Sequence, residues 1–266
     1  MIVLGIDVGG TGIKAATVDV MRGALVSDRH RILTPKPSTP QAVARVVRQL
    51  ARHFSWTGPI GCGAPCVIKR DTAQTAANLD KSWIDTNVRK LVERTTGCRV
   101  TVLNDADAAG LAEMRFGAGA GQRGLVIMVT LGTGIGSALF MDGTLIPNSE
   151  LGHLVVRGKD AERRASDRAR IEKDWSWKKW AKCVNEYLCY LEEMLFPDLI
   201  IIGGGVSKEH SKFLPRLKTR AKVVPAQLLN EAGIIGAALA SYEARFPKND
   251  SSRGAGKTAP SSRSRS

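Results

Sequence analysis

Aromatic residues are scarce in this chain, at 5% of 266 residues. Its core must therefore come from Val, Ile, Leu and Ala, and a hydrophobic share of 43% is enough to build one. Acidic residues are also short, 25 against 39 Lys and Arg, which leaves a formal charge of +14. Five cysteines are present (Cys62, Cys66, Cys98, Cys183, Cys189) but no CxxC pair. An odd, scattered set argues against a disulfide framework and for reduced thiols in a cytoplasmic setting. The longest apolar runs, LVIMVTL and DLIIIGGGV, fall well short of the roughly 20 residues that cross a bilayer. Met1 leads straight into an apolar strand, with no basic leader or cleavage site. Neither a membrane partner nor a cleaved signal is expected.

Two common phosphate-binding signatures are missing too. GxxxxGK[ST] is absent. The glycine turn in VLGIDVGGTGIKAATVD is followed by β-branched and small residues, so it joins two strands instead of opening a helix. That excludes the dinucleotide-binding fingerprint.

The positive charge is unevenly placed. Residues 247–266 hold five Lys/Arg and one Asp among Ser, Gly and Pro, so +4 lies in a tail expected to be disordered and +10 on the body. A basic body suits a polyanionic partner, or is simply basic. The tail offers nucleic acid only nonspecific contact, so no specific nucleic-acid partner is expected.

The first half alternates strand and helix signals. Strands are predicted at Ile2–Asp7, Ile13–Asp19, Leu25–Ile32, Ile60–Ala64 and Val100–Leu103, and helices at Pro40–His53 and Asp85–Thr95. The second half repeats the opening: LVIMVTLGTGIGSALFMDG is again strand, Gly-Thr-Gly-Ile turn, strand. An internal repeat implies two similar α/β domains. Their expected extents are 1–104 and 105–231, with a last helix, 232–246, packing back on the first. A helix at Trp177–Phe196 and a strand at Leu199–Ile202 precede GGGVSK, which is expected to open a helix.

Each motif has a plain reading and a chemical one. Gly9-Gly10-Thr11-Gly12 with Lys14 is either an ordinary hairpin turn or a cradle in which backbone N–H groups, a hydroxyl and an ammonium meet phosphate oxygens. Gly132-Thr133-Gly134 supplies a second such turn, and two turns can clasp a phosphate chain across a cleft. Gly203-Gly204-Gly205 follows a buried strand and places open backbone beside a helix start. Asn104 and Asp105, in VLNDADAAGLAEM, end a strand and start a helix. Alone they read as an N-cap. Between two phosphate turns, Asp105 reads as a general base that takes a proton from an attacking hydroxyl. Glu150 and His153 share one face of a helical turn and can hold vicinal hydroxyls. The stretch Arg157–Lys182 carries ten Lys/Arg, five Asp/Glu and three Trp. It is either a solvated face with a Trp anchor or a track for a polyphosphate chain, extended by Lys208, Lys212 and Arg216.

GIDVGGTGIK, LNDADAAGLAE, TLGTGIGSALF, ELGH and IIIGGGVS occur in one order from residue 2 to about 244. Together they resemble the ROK family of sugar kinases, and AANLDKSW, KDAERRAS and FPDLIIIGGGVSK resemble its polyphosphate-using glucokinase and glucomannokinase branch. The resemblance implies two ribonuclease-H-like, actin/hexokinase-like domains with a cleft between them. It implies transfer of a phosphoryl group to the 6-hydroxyl of glucose, and of mannose, from inorganic polyphosphate, ATP or both, with Mg²⁺ accompanying the donor. Carried over by position, Asp105 is the base. Asn78, Asn104, Asp105, Glu150, His153 and Glu162 meet the sugar. Asp7, Gly9, Gly10, Thr11, Gly12, Lys14, Thr130, Gly132, Thr133, Gly134, Gly203, Gly204 and Gly205 meet phosphate or nucleotide, with Asp7 near the metal. Two departures stand out. Cys66 follows Pro65 where the family has glycine, and LVVRGKDAERRAS, directly after His153, has no cysteine where most members carry a zinc module, so zinc is not expected. A homodimer is common in families of this kind. The alternatives are a strictly ATP-dependent ROK glucokinase and a non-catalytic, sugar-sensing ROK protein.

Overall fold

The computed structural model describes residues 1–77 and 79–247. Asn78 and the basic tail beyond Pro247 lie outside the described residues.

The internal repeat is visible as two sheets of one plan. In the first, β1 (Ile2–Val8) pairs antiparallel with β2 (Gly12–Asp19), whose other edge carries β3 (Ala24–Leu25) and β4 (His30–Leu33). Beyond β1 lies β5 (Ile60–Ala64), parallel to it. A small hairpin, β6 (Ile68–Lys69) and β7 (Thr72–Ala73), precedes β8 (Val100–Asn104), which completes the sheet parallel to β5. In the second sheet, β9 (Leu125–Leu131) and β10 (Ile135–Met141) form the antiparallel pair, with β11 (Thr144–Ile146) outside β10. A two-strand ribbon, β12 (Val155–Val156) and β13 (Lys159–Asp160), follows. On the far side of β9 run β14 (Leu199–Gly203) and β15 (Lys222–Pro225), both parallel.

Helices fill three layers. α1 (Pro40–His53) and α2 (Val88–Thr96) cover the outer face of the first sheet. In α1, Thr39 caps the Ala42 N–H and Pro40 takes the first turn, while Val43, Val47 and Leu50 fall on one face against Leu4, Ile6 and Ile13. α3 (Asp105–Phe116) and α7 (Ala232–Arg245) lie between the sheets. After the short α4 (Glu162–Ala165) and α5 (Asp167–Glu172), α6 (Trp177–Leu195) covers the outer face of the second sheet with Trp180, Val184 and Leu188.

The middle layer is built on backbone contact. A Cβ at Gly236 would lie 1.6 Å from the Ala108 carbonyl oxygen, and one at Gly61 would lie 1.8 Å from that of Ala237. α7 therefore touches both α3 and the first sheet with no side chain between. This explains its small residues on nearly every face, and it sets the depth of the start of α3.

Three expectations need correction. The predicted strand Leu25–Ile32 is two strands, because the Ser27 hydroxyl takes the Thr17 N–H at 3.0 Å and interrupts the ladder. The predicted helix Asp85–Thr95 starts at Val88: Asp85 is left-handed (φ 64°), and Asn87 caps the Lys90 N–H. GGGVSK opens a run of 3-10 turns over Gly205–Lys212, kinked at Glu209, and not an α-helix. There the Ser207 N–H and hydroxyl both return to the Gly204 carbonyl.

Gly236→Ala is expected to cost about 3 kcal/mol, the upper range for overpacking, because the obstacle is backbone. Denaturant titration of the variant against the parent checks this.

Candidate active site

The first glycine turn closes between β1 and β2, with the Gly9 N–H on the Gly12 carbonyl at 3.1 Å. It is held from β4. Thr34 donates its hydroxyl to the Gly9 carbonyl at 2.5 Å, and Arg31 Nη2 donates to the Thr11 carbonyl at 3.1 Å. The register places Asp7, Lys14 and Arg31 in one row across β1, β2 and β4. Lys14 Nζ pairs with Asp7 Oδ2 at 3.2 Å, so the ammonium is engaged within the chain.

The second turn closes between β9 and β10, with the Gly132 N–H on the Gly134 carbonyl at 3.0 Å. Glu162, at the start of α4, accepts the Ile135 N–H on Oε2 at 3.0 Å. Arg168 of α5 donates its backbone N–H to the Gly132 carbonyl at 3.1 Å. Gly204 (φ 81°) lies so close to the end of β9 that a Cβ would sit 2.4 Å from the Leu131 oxygen. The third glycine cluster thus adjoins the second turn, and Thr130 lies between them and Gly136.

Asp105 starts α3 between these turns. Asn104 is its buried N-cap. Its Oδ1 accepts the Ala106 and Asp107 N–H groups at 2.8 and 3.1 Å, and its Nδ2 donates to the Cys66 carbonyl at 3.3 Å. The N-cap reading of Asn104 is therefore realised, and the cap fixes Asp105. Desolvation, then the neighbouring Asp7 carboxylate, and then Glu150 push the Asp105 carboxyl up to about 7, against the Ala106 N–H that favours its charged form.

Glu150 and His153 share a 3-10 turn, with His153 Nε2 3.9 Å from Glu150 Oε2. Asp160 stands 3.0 Å from His153 Nδ1 through Oδ2, and its Oδ1 accepts the Glu162 N–H at 2.8 Å. One carboxylate thereby orients the imidazole and takes the first N–H of α4. Burial raises Glu150, with His153 opposing and Glu162 adding to the rise. Asp160, first by its hydrogen bond, raises His153 above the ordinary imidazole range. Cys66 is buried beside Asp105 and Glu150, and its thiol is pushed up to about 12, mainly by burial.

Asp7, Asp105, Glu150, His153 and Glu162 thus form one connected cluster flanked by the two turns. Sequence reasoning missed Arg31, Thr34 and Asp160. Arg31 was legible only through its strand register opposite Lys14, which the interrupted strand concealed. Asp160 was legible as an acidic residue just before the helix start at Glu162.

Two sheets that each start with an antiparallel pair around a glycine turn, with a carboxylate-headed helix between them, make this an actin/hexokinase-like fold. The ROK family model matches residues 3–166, and the chain belongs to that family. It is 52% identical over 238 residues to the polyphosphate glucokinase of Mycobacterium tuberculosis, across 89% of this chain and 90% of the relative. The inorganic polyphosphate/ATP-glucomannokinase of Arthrobacter sp. strain KM superposes with a TM-score of 0.88 at 46% identity, covering 90% of this chain and 97% of that one. A ROK family glucokinase from Streptomyces griseus, solved with glucose and AMPPNP, superposes with a TM-score of 0.81 at 26% identity, covering 91% and 100%. Among the described residues no helix is long and apolar enough to cross a membrane.

In an NMR titration, His153 is expected to titrate above the free imidazole range. Asp160→Asn is expected to bring it down, since the hydrogen-bonded anion favours the charged ring. An unchanged midpoint contradicts the assignment.

Proposed function

We propose that this protein is a sugar kinase that moves a phosphoryl group from inorganic polyphosphate, and from ATP, to the 6-hydroxyl of glucose and mannose. The observation that carries this reading is Asp105, a desolvated carboxylate at the head of α3 between two glycine turns. The names of the relatives support both the acceptor and the donors.

Asp105 accepts the 6-hydroxyl proton. A base with a pKa near working pH is ionised often enough to act and basic enough to draw the proton. Glu150 and His153 hold neighbouring hydroxyls, with Asp160 fixing the imidazole. Glu162 and the remaining amide N–H of Asn104 add to the sugar side, as does Asn78 by its position in the sequence. On the donor side, N–H groups of Gly9–Gly12 and Gly132–Gly134, the hydroxyls of Thr11, Thr130 and Thr133, and Lys14 meet phosphate oxygens, with Gly203–Gly205 beside the second turn. Lys14 reaches the donor by exchanging Asp7 for phosphate.

Among the described residues no cluster of three His, Cys, Asp or Glu holds a metal by itself. Mg²⁺ takes one or two carboxylates and completes its shell with phosphate oxygens and water. Asp7, next to the first turn, is the carboxylate that would hold it. When bound it neutralises charge on the transferred group.

The basic stretch is read as the path of the distal polyphosphate chain. Its tryptophans serve as platforms for cations: Arg170 lies 4.1 Å and Lys212 5.4 Å from the Trp177 ring, and Lys173 lies 4.5 Å from that of Trp175. Trp180 is the buried anchor, its indole N–H shared by the Ala165 and Ser166 carbonyls. The bond from Arg168 to Gly132 ties this stretch to the second turn.

kcat/KM for glucose is expected to fall about tenfold per pH unit below about 7, where Asp105 takes up a proton, and to level off above it. Asp105→Asn is expected to lower kcat by about 10²–10⁴ and retain glucose binding. Retained turnover overturns the base assignment. Lys208→Glu with Lys212→Glu is expected to raise the KM for long polyphosphate several times more than that for ATP. Equal changes sink the path.

A further inference from the structure

Asn148 lies two residues before Glu150, in the loop after β11, with its backbone in the left-handed region at φ 63°. Its side-chain amide is committed to a single residue 80 positions away. Oδ1 accepts the Ile68 N–H at 2.8 Å, and Nδ2 donates to the Ile68 carbonyl at 2.9 Å. The amide does for Ile68 what a neighbouring strand does. The Asn148 N–H in turn donates to Asp107 Oδ2 at 2.8 Å.

Three segments meet at this residue. One is the loop leaving β5, which carries Cys66 and reaches Ile68. The second is the first turn of α3, with Asn104, Asp105 and Asp107. The third is the loop that carries Glu150. Glu150 is also held from the second sheet through both its neighbours: the Ser137 hydroxyl of β10 donates to the Ser149 carbonyl at 2.9 Å and accepts the Leu151 N–H at 3.0 Å. Glu150 is strung between an anchor on the second sheet and one on the loop leaving the first.

This arrangement is costly to the fold. Asp107 is 1% exposed, and its Oδ1 has no partner among the described residues. Burial of a half-satisfied carboxylate opposes folding, and so does a left-handed non-glycine residue. Both costs fall on one bonded pair beside the sugar side of the site.

We infer that Asn148 is a positioning residue for the sugar. It sets the distance between Glu150 and the 65–68 loop, and Asp107 holds Asn148 in place. The inference rests on the sugar-kinase reading of the same site.

Asn148→Gly keeps the left-handed backbone without strain and removes only the amide. It is expected to raise the KM for glucose about tenfold, the effect of losing two positioning hydrogen bonds. The KM for polyphosphate is expected to stay unchanged. Amide hydrogen exchange at 65–68 and 148–152 is expected to speed up together. Asn148→Asp, which sets a carboxylate oxygen against the Ile68 carbonyl, is expected to raise glucose KM further. A glucose KM within twofold of the parent, or an equal rise for both substrates, overturns the inference. A parent protein that phosphorylates no sugar refutes the kinase reading instead. Calorimetric glucose binding by the same two proteins then decides the clamp, and equal affinities overturn it.

Discussion

The contact of α7 with bare backbone on two sides governs this structure. Gly61 lets the helix lie on the first sheet, and Gly236 lets α3 lie on the helix. With side chains at these points the layers would separate by a side-chain diameter, and the head of α3 would leave the space between the two turns. The geometry of the candidate site depends on glycines that lie outside it. Interiors at this density transmit displacement and do not absorb it.

Around that frame, electrostatics does the selecting. Asp7, Asp105, Glu150 and Glu162 are carboxylates in mutual range, within a protein of strongly positive net charge. Water does not fully solvate them, so two are driven toward neutrality and held ready for hydroxyl groups, protons and cations. The basic surface lies elsewhere, on α5, α6 and the turns after Gly205, where its cations rest on tryptophan and pair with nearby acids.

Much of this was legible in the chain because glycine and cap residues carry local information. The two Gly-Thr-Gly turns revealed the repeat, and Asn104-Asp105 marked the head of α3. Pro40 to His53 delimited α1 by a cap and a periodic apolar face. What stayed hidden depends on partners far apart in sequence. The Ser27 hydroxyl that splits a strand and Arg31 reaching back to Thr11 are tertiary choices that side-chain type alone does not announce. The helix expected after the third glycine cluster failed for a related reason. Ser207 closes tight i to i+3 bonds on Gly204, and the helix signal of the following residues is overridden.

The ion pair between Lys14 and Asp7 means the first turn carries no uncompensated charge at its ammonium. An incoming anion must displace a carboxylate to be accepted. A carboxylate-bearing metabolite gains nothing by that trade, since it offers the ammonium the same group it already holds. A phosphate oxygen, more highly charged and with more acceptor sites, gains. On the kinase reading proposed above, the pair then acts as a filter on anion type, favouring chains of phosphate at the turn over the organic acids of a cell.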